Sequence, residues 1–202
     1  MPVELSFSDV FSYFMSIGPI LVASFLVVGS AFNQNAKGFI YLCGLLLSFI
    51  IGVGFKNLFR TGRQGVIQED CSIFQFPPLI TYYTLPDLNS LLLTFTAAYL
   101  FWPMFKGETP PNAWMIIILL TFIIGNGITR TLKGCNNVMD LIIGIMLGFA
   151  CGTGWFFLFW LTNNKKLLYL DDLLSNKVVC NRPSKQTFKC AVYKNGELLK
   201  HL

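Results

Sequence analysis

Apolar residues in this chain come in long blocks, near 11–31, 39–55, 88–105, 113–128 and 138–161, separated by short stretches where charges, prolines and asparagines collect. Blocks of roughly 17–25 apolar residues match the length an α-helix needs to cross a hydrocarbon core about 30 Å thick. A helix is also the form that satisfies its own backbone hydrogen bonds there. The pattern therefore predicts an all-α, multi-pass membrane protein: a bundle of five transmembrane helices over residues 1–162, followed by a tail over 163–202. Gly18-Pro19 inside the first block predicts a kink, because proline lacks the N–H that would bond one turn back. The fourth block, AWMIIILLTFIIGNGI, is short and should be tilted little or be continued by its flanks.

Past Thr162 the pattern changes. KKLLYLDDLL at 165–174 brings Leu167, Leu170, Leu173 and Leu174 to one helical face, suited to a membrane surface or to the bundle. QTFKCAVYKNGELLKHL then offers Asn195-Gly196 as a two-residue turn between apolar-bearing strands, which predicts a small β-hairpin. An isolated hairpin is marginal in water, so the tail is expected to dock on a protein partner.

Composition sharpens this picture. At 54% hydrophobic and 12% charged, with mean hydropathy +0.60, the chain carries too little polar surface for a water-soluble domain. Residues 1–162 hold seven basic and seven acidic side chains, whereas the tail holds eight and three. That excess favours a cytoplasmic C-terminus, and an odd number of spans puts the N-terminus on the other side. The N-terminus carries Glu4 and Asp9 and no basic region, so the first span is expected to be retained, although Gly-Ser-Ala at 29–31 resembles a cleavage site. Tail cations without a stacking platform suit anionic lipid, and no nucleic acid is expected. The six cysteines show no ligand spacing, so no metal and no cofactor is expected. Cys71 and Cys135 fall in loops on one side and can pair if that side is oxidising.

The tryptophans, 102, 114, 155 and 160, lie near span ends and read as interfacial anchors. Gly144, Gly148 and Gly152 fall on one face of the fifth span, where a backbone can approach closely. Bundle packing is the expected use of that face, with a homodimer contact as the alternative.

Three polar groups remain, and with five spans all fall on one side. KNLFRTGR holds Lys56 and Arg63; LPDLNS holds Asp87, Asn89 and Ser90; TRTLKGCNNVMD holds Thr129, Arg130, Asn136 and Asp140. Converging cations at helix ends suit a phosphate, while cations paired with Glu69, Asp70, Asp87 and Asp140 would be structural.

In order and spacing these groups resemble the type 2 phosphatidic acid phosphatases, membrane relatives of the vanadium haloperoxidases, over about residues 38–160. Their signature is a Lys, six residues and Arg-Pro; then Pro-Ser-Gly-His; then Ser-Arg, five residues, His, three residues and Asp. Lys56 and Arg63 match the first part, with Gln64 for Pro. Pro86 and Ser90 flank the second, whose Ser, Gly and His are Asp87, Leu88 and Asn89. Thr129, Arg130, Asn136 and Asp140 match the third, with Thr for Ser and Asn for His. The family's six spans would here lack the first.

The resemblance implies a phosphate clamp of Lys56, Arg63 and Arg130, a nucleophilic histidine and a second histidine as general acid. Both histidine positions are asparagine, which neither titrates near neutrality nor attacks phosphorus usefully. The chain's single histidine, His201, lies in the tail. A catalytically inactive, phosphatase-like structural protein is the leading expectation; a lipid phosphate phosphatase with altered catalytic residues and a phospholipid-headgroup binder are the alternatives. The tail stretch SKQTFKCAVYKNGELL is also similar to tails of large DNA virus membrane proteins, which would imply a virion inner membrane.

Overall fold

The computed structural model describes residues 7–60, 83–106, 112–162, 167–168, 191–194 and 197–201. Its helices are α1 (Phe7–Phe32), α2 (Lys37–Phe59), α3 (Leu88–Phe105), α4 (Ala113–Leu132) and α5 (Val138–Leu161). All five are long and apolar enough to cross a membrane, which makes the chain an integral, multi-pass membrane protein. Apolar side chains such as Phe25, Phe39, Ile50, Ile124 and Met146 face outward, as lipid as the surrounding solvent allows.

The helix ends follow local chemistry. Asp87 caps α3 by accepting the N–H of Ser90, and Asn112 caps α4 by accepting that of Met115. The helix α4 is longer than its apolar run. Thr129 and Thr131 return their hydroxyls to the carbonyls of Gly125 and Gly127, which keeps polar residues compatible with the last turn. It ends where Gly134 turns to φ +66°, a conformation glycine adopts without a Cβ clash. The Cys135 N–H then closes on the Arg130 carbonyl at 2.9 Å, folding the next residues back beneath the helix.

The third helix is the axis of the bundle: 61% of its span is buried, against 22–33% for the other four. Its closest neighbour is α5. A Cβ placed on Gly144, Gly148 or Gly152 would overlap the backbone oxygens of Asp87, Leu91 and Phe95 in turn, so a glycine every fourth residue lets α5 lie against the α3 main chain. The buried Tyr41 and Thr96 hydroxyls pair across α2 and α3 at 2.7 Å.

Two of the four tryptophans differ from the anchors expected. Trp102 stacks on Phe156 and donates from its indole N–H to Thr153 at 2.9 Å, inside the α3–α5 seam. Trp155 packs its indole edge over Gly44 of α2. A bulky ring near a span end fills whatever gap the neighbouring glycine leaves, which its position in the chain does not disclose. Trp114 is exposed at the start of α4, consistent with an anchor.

In the tail, Leu168 is fully buried in the hydrophobic core, although the expected leucine face did not include it. The remainder of that segment lies outside the described residues. Short strands β1 (Ala191–Lys194) and β2 (Glu197–His201) run antiparallel. The turn between them and their side chains lie outside the described residues, so they do not establish the expected hairpin as a folded unit. Cys135 is disulfide-bonded; Cys71, the partner considered for it, is outside the described residues.

Candidate functional site

Two of the three polar groups, LPDLNS and TRTLKGCNNVMD, meet at the ends of α3, α4 and α5, around one carboxylate. Asp87 stands immediately before α3 and is 1% exposed. Its Oδ2 accepts the Ser90 N–H at 3.0 Å and the Ser90 hydroxyl. Its Oδ1 accepts the side-chain amide of Asn136 and lies 3.1 Å from Nε of Arg130. Asn126, also fully buried, donates to the Ser90 hydroxyl at 3.1 Å.

The arrangement is fixed by main chain as well as side chains. The Asp87 N–H donates to the carbonyl of Asp140 at 3.1 Å, tying the start of α3 to the first turn of α5. The Asp140 carboxylate accepts the N–H of Asn137 at 3.1 Å. It thus serves the N-terminus of its own helix, where negative charge is favoured. Burial pushes the Asp87 carboxyl up, but the Arg130 guanidinium, the two Ser90 donors and Asn136 together outweigh burial and hold it below the ordinary carboxylate range.

Other sequence-selected residues stand apart from this cluster. Lys56, buried in the last turn of α2, donates from Nζ to the Tyr83 carbonyl at 2.8 Å. Asn89 donates to the Ser16 carbonyl of α1 at 3.2 Å. The Thr129 hydroxyl is engaged within its own helix. Arg63 lies outside the described residues. Of the positions singled out, Ser90, Arg130 and Asn136 converge on Asp87, and Asp140 touches the cluster through its backbone.

One member, Asn126, is not selected from sequence, where it reads as part of an apolar block; Asp87 is named there among the carboxylates that would pair with the cations, and its contact with Arg130 is such a pair. An amide inside a membrane helix is itself a signal, because an unpaired polar group is costly in lipid. No cluster of three or more His, Cys, Asp or Glu side chains occurs among the described residues.

Residues 88–165 match the model of the PAP2 superfamily. The matched stretch includes Asn89, Ser90, Arg130, Asn136 and Asp140 and leaves Lys56, Arg63 and Asp87 outside it, so it is narrower than the resemblance drawn over 38–160. Among curated proteins and among solved structures, none matches the chain.

Proposed function

We propose that this chain, an integral membrane protein that resembles the type 2 phosphatidic acid phosphatases from α3 to α5, is a catalytically inactive relative that serves as a structural component, its basic tail engaging a partner. The observation that carries this reading is the engagement of Asn136. At the position of the family's nucleophile stands an amide, and that amide donates to a buried carboxylate of the same chain. Asn89, at the general-acid position, is turned to α1. Neither asparagine can form a phosphoryl intermediate or protonate a leaving alcohol, and loss of either histidine function removes roughly 10²–10⁴-fold or more in rate.

Asp87 in the midst of the donors supports the inactive reading over the headgroup-binding alternative, since an ionised carboxylate repels a phosphate at contact distance. The disulfide at Cys135 supports placing the α4–α5 loop on the oxidising side, and hence the tail across the membrane in the cytoplasm. The eight basic residues of the tail against three acidic suit an acidic partner surface there.

The test is phosphate release from phosphatidic acid by the purified full-length protein, beside its Arg130→Ala variant. Release no greater than a detergent blank for both is the expected result. Turnover by the wild type that Arg130→Ala abolishes would overturn the proposal and establish a phosphatase with altered catalytic residues.

A further inference from the structure

We infer that the groove between α4 and α5 is an acyl-chain site: it holds one fatty-acyl tail of a phospholipid from the leaflet on the side of the polar cluster, as a resident lipid and not as a substrate. The inference stands on packing and does not depend on the reading of the chain as phosphatase-like.

The groove arises because two consecutive helices part. Both α4 and α5 lean on α3, and α4 also on α1, whereas the main chains of α4 and α5 stay apart along most of their length. Near their turn Leu141 of α5 lies over Gly127 of α4. Beside that contact runs a groove of about 450 Å³, walled by Ile123, Ile124, Ile128 and Leu132 of α4 and by Leu141 and Ile145 of α5. Ile124, Ile128 and Leu132 are each more than half exposed, so the groove opens to the hydrocarbon. It lies across α4 from the polar cluster: at 3.6 residues per turn, Ile124, Ile128 and Thr131 point away from Asn126, which donates to Ser90.

A groove at this depth is covered by a lipid tail or by another helix, and its length favours the tail. From Ile123 to Leu132 α4 rises about 13 Å, close to half of a hydrocarbon core about 30 Å thick. The groove therefore runs through one leaflet and stops, as an acyl tail does. A spanning helix would need the full thickness.

The chemistry of the walls agrees. Helices associate in a membrane through small residues that admit a backbone, or through polar side chains that bond across. Leu141 already takes the space over Gly127, and the Thr131 hydroxyl is spent on the Gly127 carbonyl at 2.8 Å. The isoleucines and leucines that remain offer a second helix no more than they offer a lipid tail. The α3–α5 seam shows what a helix-accepting face is in this chain: there Gly144, Gly148 and Gly152 admit the neighbouring main chain. A flexible hydrocarbon can instead follow the branched walls and gain dispersion contact along them. Lys133, which caps α4 directly after Leu132, brings a positive charge to headgroup level and suits the phosphodiester of a phospholipid.

The test uses the full-length protein, stripped of lipid by washing in dodecyl maltoside, with palmitoyl-oleoyl phosphatidylcholine as the probe. That lipid carries no phosphomonoester, so a phosphatase-type site does not account for its binding. Ile128→Trp and Ile124→Trp each fill the groove, and Ile50→Trp adds the same ring to an exposed position of α2. Bound lipid is counted by native mass spectrometry, and its affinity is read from thermal stabilisation. Wild type and Ile50→Trp are expected to hold one phosphatidylcholine per chain, and each groove variant to bind it at least about tenfold more weakly. Circular dichroism checks that each variant folds. A further readout needs no variant: wild type reconstituted with phosphatidylcholine spin-labelled on its acyl chain is expected to immobilise one such chain strongly.

Equal binding by wild type and both folded groove variants means unselective annular lipid and overturns the inference. So does a wild type that retains no lipid and immobilises no chain. A wild-type dimer that either groove variant dissociates identifies a second copy as the occupant and overturns it as well. Catalytic inactivity is read from phosphate release, so the two proposals fail independently.

Discussion

At Asp87 a single side chain caps a helix, neutralises a cation and receives the amide of Asn136. Its stability contribution depends on pH in a defined direction. A carboxyl held below its usual range in the folded protein stabilises the fold above the unfolded-state pKa of about 3.9 and loses that contribution as pH falls through the lower, folded value. The melting temperature should therefore be insensitive to Asp87 between neutrality and about pH 5 and decline in stronger acid. Asp87→Asn should flatten that decline while lowering stability at neutral pH, because it leaves Arg130 without a counter-charge. Thermal unfolding in detergent as a function of pH checks both; a parallel decline in wild type and variant would remove Asp87 from the account. Part of this role was legible beforehand, since Asp87 is named among the carboxylates expected to pair with the cations; its full set of partners was not. A carboxylate next to a helix start is readily seen as a cap, but its partners Arg130 and Asn136 lie across two further helices. Which cation it meets is set by how those helices dock. For the same reason Asn89 reads as a site residue in the chain and is found against α1.

Elements were far more legible than side-chain partners. An apolar block of membrane length has few alternatives to a helix, so the five spans follow from the apolar pattern alone, while α1, α2 and α4 were read short at their polar ends, in α4 because threonines that bond within their helix look like its end. The glycine register in α5 is a strong test of helix packing. Gly148 faces the Leu91 carbonyl and the Thr94 hydroxyl with no room for a Cβ, whereas Gly154, less than two turns on, has open space. Gly148→Leu should separate α3 from α5 and cost about 1–3 kcal/mol or more, with Gly154→Leu close to neutral. Equal losses in a denaturant titration, or none in either, would mean that the α3–α5 contact is not the tight one described. A lone spacing of glycines could equally have served a second copy, and the sequence offers no means of choosing.

For the whole molecule, sidedness is the organising property. With the five spans of the described residues, the polar cluster and the end of α5 fall on opposite faces, and the orientation proposed above puts the cluster on the oxidising one. In sealed membranes a tag after residue 202 should be cleaved by protease added from the cytoplasmic side and protected from the other. The reverse pattern would invert the assignment and leave the basic tail facing outward. The two faces also differ in how much the chain discloses: one is built of defined contacts, the other of charge excess and a turn signal.

The bond from the Asp87 N–H to the Asp140 carbonyl has a consequence for how such a protein changes over time. It joins the two helix starts through atoms that every residue except proline on the donor side possesses, and the glycine ladder continues the same seam downwards. Side chains at the rim thus add to a joint that the main chain also makes. Exchange of the side chain at Asp87 or Asp140 for any other but proline at the donor leaves that main-chain bond available. A rim joined in this way tolerates varied side chains without losing its outline.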